Sequence, residues 1–177
     1  MKINNKTAKG FTLLEILVVV TIIGLLAAVG VVSYGSLLKG SRESRRKADL
    51  EQIRAALEIY KSANGAYPTT AGAWWGPCTG AGSHTDTGAS GYVPNLAPTY
   101  MNRLPHDPKE GYATANPISP ANCGAAWNYC YIYRSNSIDY KLMANCGPES
   151  TVATNDPYKD WRTWTYQISS SGTSLGW

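Results

Sequence analysis

From residue 11 to residue 38 the chain reads FTLLEILVVVTIIGLLAAVGVVSYGSLL, an apolar run whose one charged side chain is Glu15. As a helix rising about 1.5 Å per residue, this run exceeds the roughly 30 Å hydrocarbon thickness of a bilayer. A charge inside such a span is costly, so it marks function and calls for a partner. The preceding stretch, MKINNKTAKG, carries Lys2, Lys6 and Lys9 and ends in Gly10. A cut after Gly10 would create an amine on Phe11, one helical turn from Glu15. That amine, on the same or a neighbouring subunit, is the positive charge the carboxylate needs. An ordinary secretory signal has an apolar core of roughly 7–15 residues followed by a small-residue cut site. Ala27-Ala28-Val29 would serve as such a site, but this run is too long and Glu15 would weaken it.

The basic leader predicts a single pass through the cytoplasmic membrane with the amino terminus on its inner side. Lys39, Arg42, Arg45, Arg46 and Lys47 lie on the far side and count the other way, but Glu43, Asp49 and Glu51 interleave with them.

Gly10-Phe11-Thr12-Leu13-Leu14-Glu15 followed by an apolar run resembles the processing signal of type IV pilins and type II secretion pseudopilins. Phe11 is the one phenylalanine in the chain. The resemblance implies that a prepilin peptidase cuts after Gly10 and methylates the Phe11 amine. It also implies that Glu15, fifth in the mature chain, guides assembly. Tyr67-Pro68-Thr69-Thr70 and Arg103-Leu104-Pro105-His106-Asp107-Pro108 resemble the major pseudopilins of type II secretion in particular.

Length then bounds the remainder. The 177 residues accommodate one span and one modest exported domain, divided as leader 1–10, membrane and filament-core helix 11–38, exported amphipathic helix 39–64 and globular domain 65–177. Lys and Arg number 16 against 12 Asp and Glu. Without the three leader lysines the balance is 13 to 12, near +1, and nothing in it demands nucleic acid.

Leu50, Ile53, Leu57 and Tyr60 form a helical seam opposite Glu51, Arg54, Glu58 and Lys61, with Arg54 and Glu58 spaced for an i,i+4 ion pair. Asn64-Gly65 predicts the helix end. Gly24, Gly30, Gly35 and Gly40 weaken the preceding helix by about 1 kcal/mol each, serving either as points of local melting or of close helix packing. The segment 74–98 is Gly-, Ala-, Ser- and Thr-rich and reads as a long loop. Residues 127–146 read as a β-hairpin turning at Ser135-Asn136-Ser137, with Ile138, Tyr140, Leu142 and Ala144 on one face. A further strand is expected over 161–168. The fold class is therefore α+β, a long amino-terminal helix with a 3–4-stranded antiparallel sheet packed on it.

Cys78, Cys123, Cys130 and Cys146 all fall in the exported part, and an even count there predicts two disulfides in one of three connectivities. Metal is the weaker alternative, since the spacings are irregular and His84 and His106 are the only histidines. In the resembled pseudopilins a calcium ion can sit in the carboxy-terminal loop. The oxygen-rich stretch 149–160, with Asn155, Asp156 and Asp160, does not match that loop residue by residue and reads as solvated. The aromatic residues of the exported part read as packing and subunit contacts, with a sugar-binding platform as the sharper alternative.

No catalytic constellation and no cofactor motif is present, which excludes an enzyme. Two roles remain. One is a filament subunit, stored in membrane lipid, handled by an inner-membrane assembly platform and polymerised with copies of itself into a secretion pseudopilus or a surface pilus. The other is a membrane-tethered binding module that does not polymerise.

Overall fold

The computed structural model describes residues 10–111, 129–160 and 164–171, with the side chains of 29–33 left aside. One helix, α1, runs over Leu13–Asn64. It ends where expected: Gly65 is left-handed at φ 80° and its N–H reaches the Lys61 carbonyl at 2.7 Å. The helix is continuous through its internal glycines. At Gly24, Gly35 and Gly40 an added Cβ would meet nothing within 4 Å, so these positions are open notches on the helix surface.

The chain divides into two compact units, Met1–Leu38 and Lys39–Trp177. In the first, the described apolar side chains stand exposed, Leu13 at 83%, Leu25 at 71% and Leu37 at 69%. Among the described residues no helix is long and apolar enough to cross a membrane.

In the second unit, three strands form one antiparallel sheet in the order β1-β2-β3. They are Cys130–Ser135, Tyr140–Asn145 and Tyr166–Ser169. Cys130 faces Asn145 and Ser135 faces Tyr140 across the hairpin, while Ala144 faces Tyr166 across the second pair. Alternation sends Tyr131, Tyr133, Leu142, Ala144 and Ile168 to the face that meets Leu50, Ile53 and Leu57 of the helix. Cys130, Ile132 and Met143 point the other way, into a smaller core with Ala81, Trp74 and Cys78. Both faces are covered, which is why all six β2 positions are buried.

The loop that covers the second face is expected from composition, but it is tied down rather than loose. Trp75 and Tyr133 exchange backbone hydrogen bonds at 2.8 Å in each direction, and Cys78 is disulfide-bonded to Cys130. Gly76 passes so close that a Cβ would lie 2.9 Å from the Tyr131 carbonyl oxygen, leaving room for glycine alone. Tyr67-Pro68-Thr69-Thr70 runs as a strap along the hairpin. Tyr67 meets Tyr140 edge-on at 4.7 Å, the Pro68 carbonyl accepts from the Tyr133 hydroxyl at 2.8 Å, and the Thr70 hydroxyl accepts from the Ser135 N–H at 3.0 Å.

Three expectations need correction. Arg54 pairs backwards with Glu51 at 2.7 Å, because Glu58 is taken by the Tyr67 hydroxyl at 2.9 Å. Ile138 is 74% exposed, since the Asn136 side chain accepts from the N–H groups of Ile138 and Asp139 at 3.0 and 2.8 Å and folds both into the turn. The last strand begins at Tyr166, and the start of the expected 161–168 segment lies outside the described residues.

Candidate functional site: the helix start and the clamp on its second half

Gly10, Phe11 and Thr12 precede the first helical residue. The Gly10–Phe11 bond therefore lies in non-helical, exposed chain, and Phe11 is 82% exposed. Thr12 caps the helix. Its hydroxyl accepts from the Glu15 N–H at 3.2 Å, while Glu15 Oε2 accepts from the Thr12 N–H at 2.8 Å and from the Thr12 hydroxyl at 2.9 Å. This reciprocal capping box satisfies helix-terminal donors that apolar surroundings could not. The carboxylate thus has a partner within its own chain. Thr12 escapes a reading of the sequence that looks only for the charge on Glu15, although Thr-x-x-Glu before an apolar run is the signature of such a box. Further along, the Thr21 hydroxyl donates to the Val18 carbonyl at 2.8 Å.

The second half of α1 is fastened to its domain by the cations that count against the expected topology. Arg46 is fully buried. It meets Asp107 with two bonds, Nε to Oδ2 at 2.7 Å and Nη2 to Oδ1 at 3.0 Å, and reaches Glu149 at 3.2 Å. Arg42 grips Glu149 with a second fork at 2.6 and 2.7 Å. Lys47 meets Asp156 at 2.5 Å, and Glu43 Oε1 accepts from the N–H groups of Glu149 and Ser150 at 3.0 Å each. Burial alone would raise the Glu149 pKa, but Arg42, Lys109 and Arg46 outweigh it and hold the carboxyl at about 2. Burial likewise opposes the charge on Arg46, and Asp107 and Glu149 more than restore it.

The stretch 149–160 is irregular chain, exposed at 150, 151, 153–155 and 157 as a solvated loop should be, but its carboxylates are tied down. Glu149 and Asp156 are bound by α1, and buried Asp160 lies 3.5 Å from the buried ammonium of Lys141 on β2 while accepting from Thr165 at 3.1 Å. Its carboxylates answer cations of the protein itself. Among the described residues no group of three or more His, Cys, Asp or Glu side chains could hold a metal ion.

Of the cysteines singled out from the sequence, Cys78 and Cys130 are joined to each other and Cys146 is also disulfide-bonded. Cys123 lies outside the described residues. No described cysteine is free.

A non-helical start, a capped apolar helix and a small sheet domain clamped to the helix's second half define a subunit of the pilin class. Residues 5–31 match the family described as the prokaryotic N-terminal methylation motif. The chain is 31% identical over 161 residues to the type II secretion system core protein G of Escherichia coli K12, covering 86% of this chain and 90% of that protein. It is 36% identical over 157 residues to core protein G of Klebsiella pneumoniae, covering 86% and 94%. Its likeness to core protein G of Pseudomonas aeruginosa is higher but local, 48% over 61 residues, so that there the chain spans under half of the relative's length, 43%. No solved structure matches. The chain belongs to the type IV pilin and pseudopilin family.

Proposed function

We propose that this chain is a structural, non-catalytic subunit of a type II secretion pseudopilus. The observation that carries this reading is the likeness to core protein G along nearly the whole chain, which a tethered module sharing only the anchor would lack. A prepilin peptidase cuts between Gly10 and Phe11 and the Phe11 amine is methylated. The subunit is stored in the cytoplasmic membrane with its amino terminus inside, and an assembly platform extracts it into a fibre of its own copies.

The physical chemistry fits each step. A run of exposed apolar side chains from Phe11 to Leu26 marks an interaction surface, so lipid covers it before assembly and neighbouring helices cover it afterwards. In lipid, the Thr12 cap lowers the cost of Glu15. In the fibre, Glu15 meets the Phe11 amine of an adjacent subunit, which fixes the register because a mismatched buried carboxylate costs several kcal/mol. The outward topology is supported by the way Arg42, Arg46 and Lys47 are neutralised by acidic partners.

Intact mass and amino-terminal sequencing of protein from its host test the processing step. The expected mature chain begins at Phe11 and carries one added methyl group, and Gly10→Val leaves the precursor uncut. A chain beginning near Val31, or one keeping Met1, contradicts it.

A further inference from the structure

The two histidines of the chain sit in opposite surroundings. His84 lies flat on Trp75, ring centroids 4.1 Å apart and planes within 10°, and burial there lowers its pKa. His106, inside the Leu104-Pro105-His106-Asp107-Pro108 run, turns each ring nitrogen to a carboxylate. Nδ1 is 2.7 Å from Glu110 Oε2, and Nε2 is 3.1 Å from Asp86 Oδ2.

An ionised carboxylate only accepts hydrogen bonds, and a neutral imidazole has one N–H to give. Both contacts can be hydrogen bonds only when the ring is an imidazolium. Charge points the same way. Arg103 also bonds to Asp86, so Asp86, Glu110, Arg103 and protonated His106 form a neutral set, and a neutral ring would leave one negative charge over. The other nearby charges face elsewhere, Asp107 to Arg46 and Lys109 to Glu149.

The residues joined here come from two segments. The Leu104 N–H bonds to the Asp86 carbonyl at 3.0 Å, and the Glu110 N–H closes a turn onto the Asp107 carbonyl at 2.9 Å. Asp107 in that turn is the partner of buried Arg46. We infer that His106 is a proton-operated clasp, which as an imidazolium ties the Asp86 segment to the turn that supplies Asp107 to α1, and which lets one of its two carboxylates go when the proton leaves. The ring is 41% exposed, so the proton exchanges directly with solvent.

The sign follows from the balance at the ring. Burial pulls the His106 pKa down, but Asp86 and Glu110 outweigh it and the net shift is upward from 6.5. The bound proton therefore stabilises the folded clasp fully below 6.5, and that contribution disappears as pH rises through the raised folded value. The clasp is shut on the acid side and slackens on the alkaline side. It belongs to the single subunit and stands independently of polymerisation.

The test is an NMR titration of the full chain in detergent micelles with histidine labelled. His106 is expected to titrate above 6.5 and His84 below 6.5. Glu110→Gln, whose amide can serve a neutral ring as donor, should lower the His106 midpoint and leave His84 unmoved. Exchange of the Leu104 amide, corrected for its intrinsic base-catalysed rate, should speed up several-fold above the His106 midpoint, and His106→Gln should abolish that step. A His106 midpoint at or below 6.5 overturns the clasp, as does a midpoint that Glu110→Gln fails to lower. Should the variant unfold, His84 would move with it, and the parent titration alone then decides.

Discussion

Arg46 sits at 0% exposure between Asp107 and Glu149. Truncating Asp107 to alanine leaves a buried guanidinium short of its main partner, a defect worth about 3–5 kcal/mol. Arg54, half exposed beside Glu51, lies at the other extreme, and its replacement by alanine should cost no more than about 0.5 kcal/mol. Denaturant midpoints of the two variants measure the contrast. Glu149 adds a pH signature. Its folded pKa lies at about 2 against an ordinary 4.5, so its contribution is complete above 4.5 and is lost as pH falls towards 2. Glu149→Gln should flatten stability across that window, as followed by thermal melts. None of this is legible in the sequence. Arg46 lies one turn before Leu50 on the same face, but a lone charge among charges reads as solvated, and its partners are 61 and 103 residues away. The Thr12–Glu15 box is the reverse case. Its spacing is local and readable, and it is hidden only because the carboxylate is read as an intersubunit group.

At the scale of elements, periodicity served where one interaction dominates and failed where two compete. Leu50, Ile53 and Leu57 lie in the core because burying an apolar seam has no rival. Tyr131 and Tyr133 face the helix for the same reason, since strand alternation there meets no turn residue. Ile138 follows the same alternation on paper, yet the Asn136 turn takes it out of the strand. Ring closure is another matter that local pattern cannot rank, and four cysteines leave their pairing open. The Cys78–Cys130 bond spans 52 residues and holds the covering loop on the sheet's second face. A loop of that length stabilises by about 4 kcal/mol through the unfolded chain's entropy. Replacing both cysteines with serine should lower stability by up to that amount, and proteolytic nicking should appear first within 74–98, located by peptide mass fingerprinting.

At the scale of the whole molecule, the chain divides by what each part must satisfy. The first unit presents described apolar side chains that stand exposed, and the second closes on itself through its sheet, its covering loop and its charged clamp. Under the proposed function, assembly depends on the first unit, with Glu15 as the group that distinguishes correct register from mere association. The most direct measurement counts filaments by electron microscopy beside membrane abundance by blotting for Glu15→Leu and its parent. Removing an intramembrane charge should leave insertion at least as efficient, and cleavage after Gly10 should proceed. Parental membrane levels with filaments lost or sparse are expected, and the same for Glu15→Gln. Parental numbers of filaments from Glu15→Leu would contradict this.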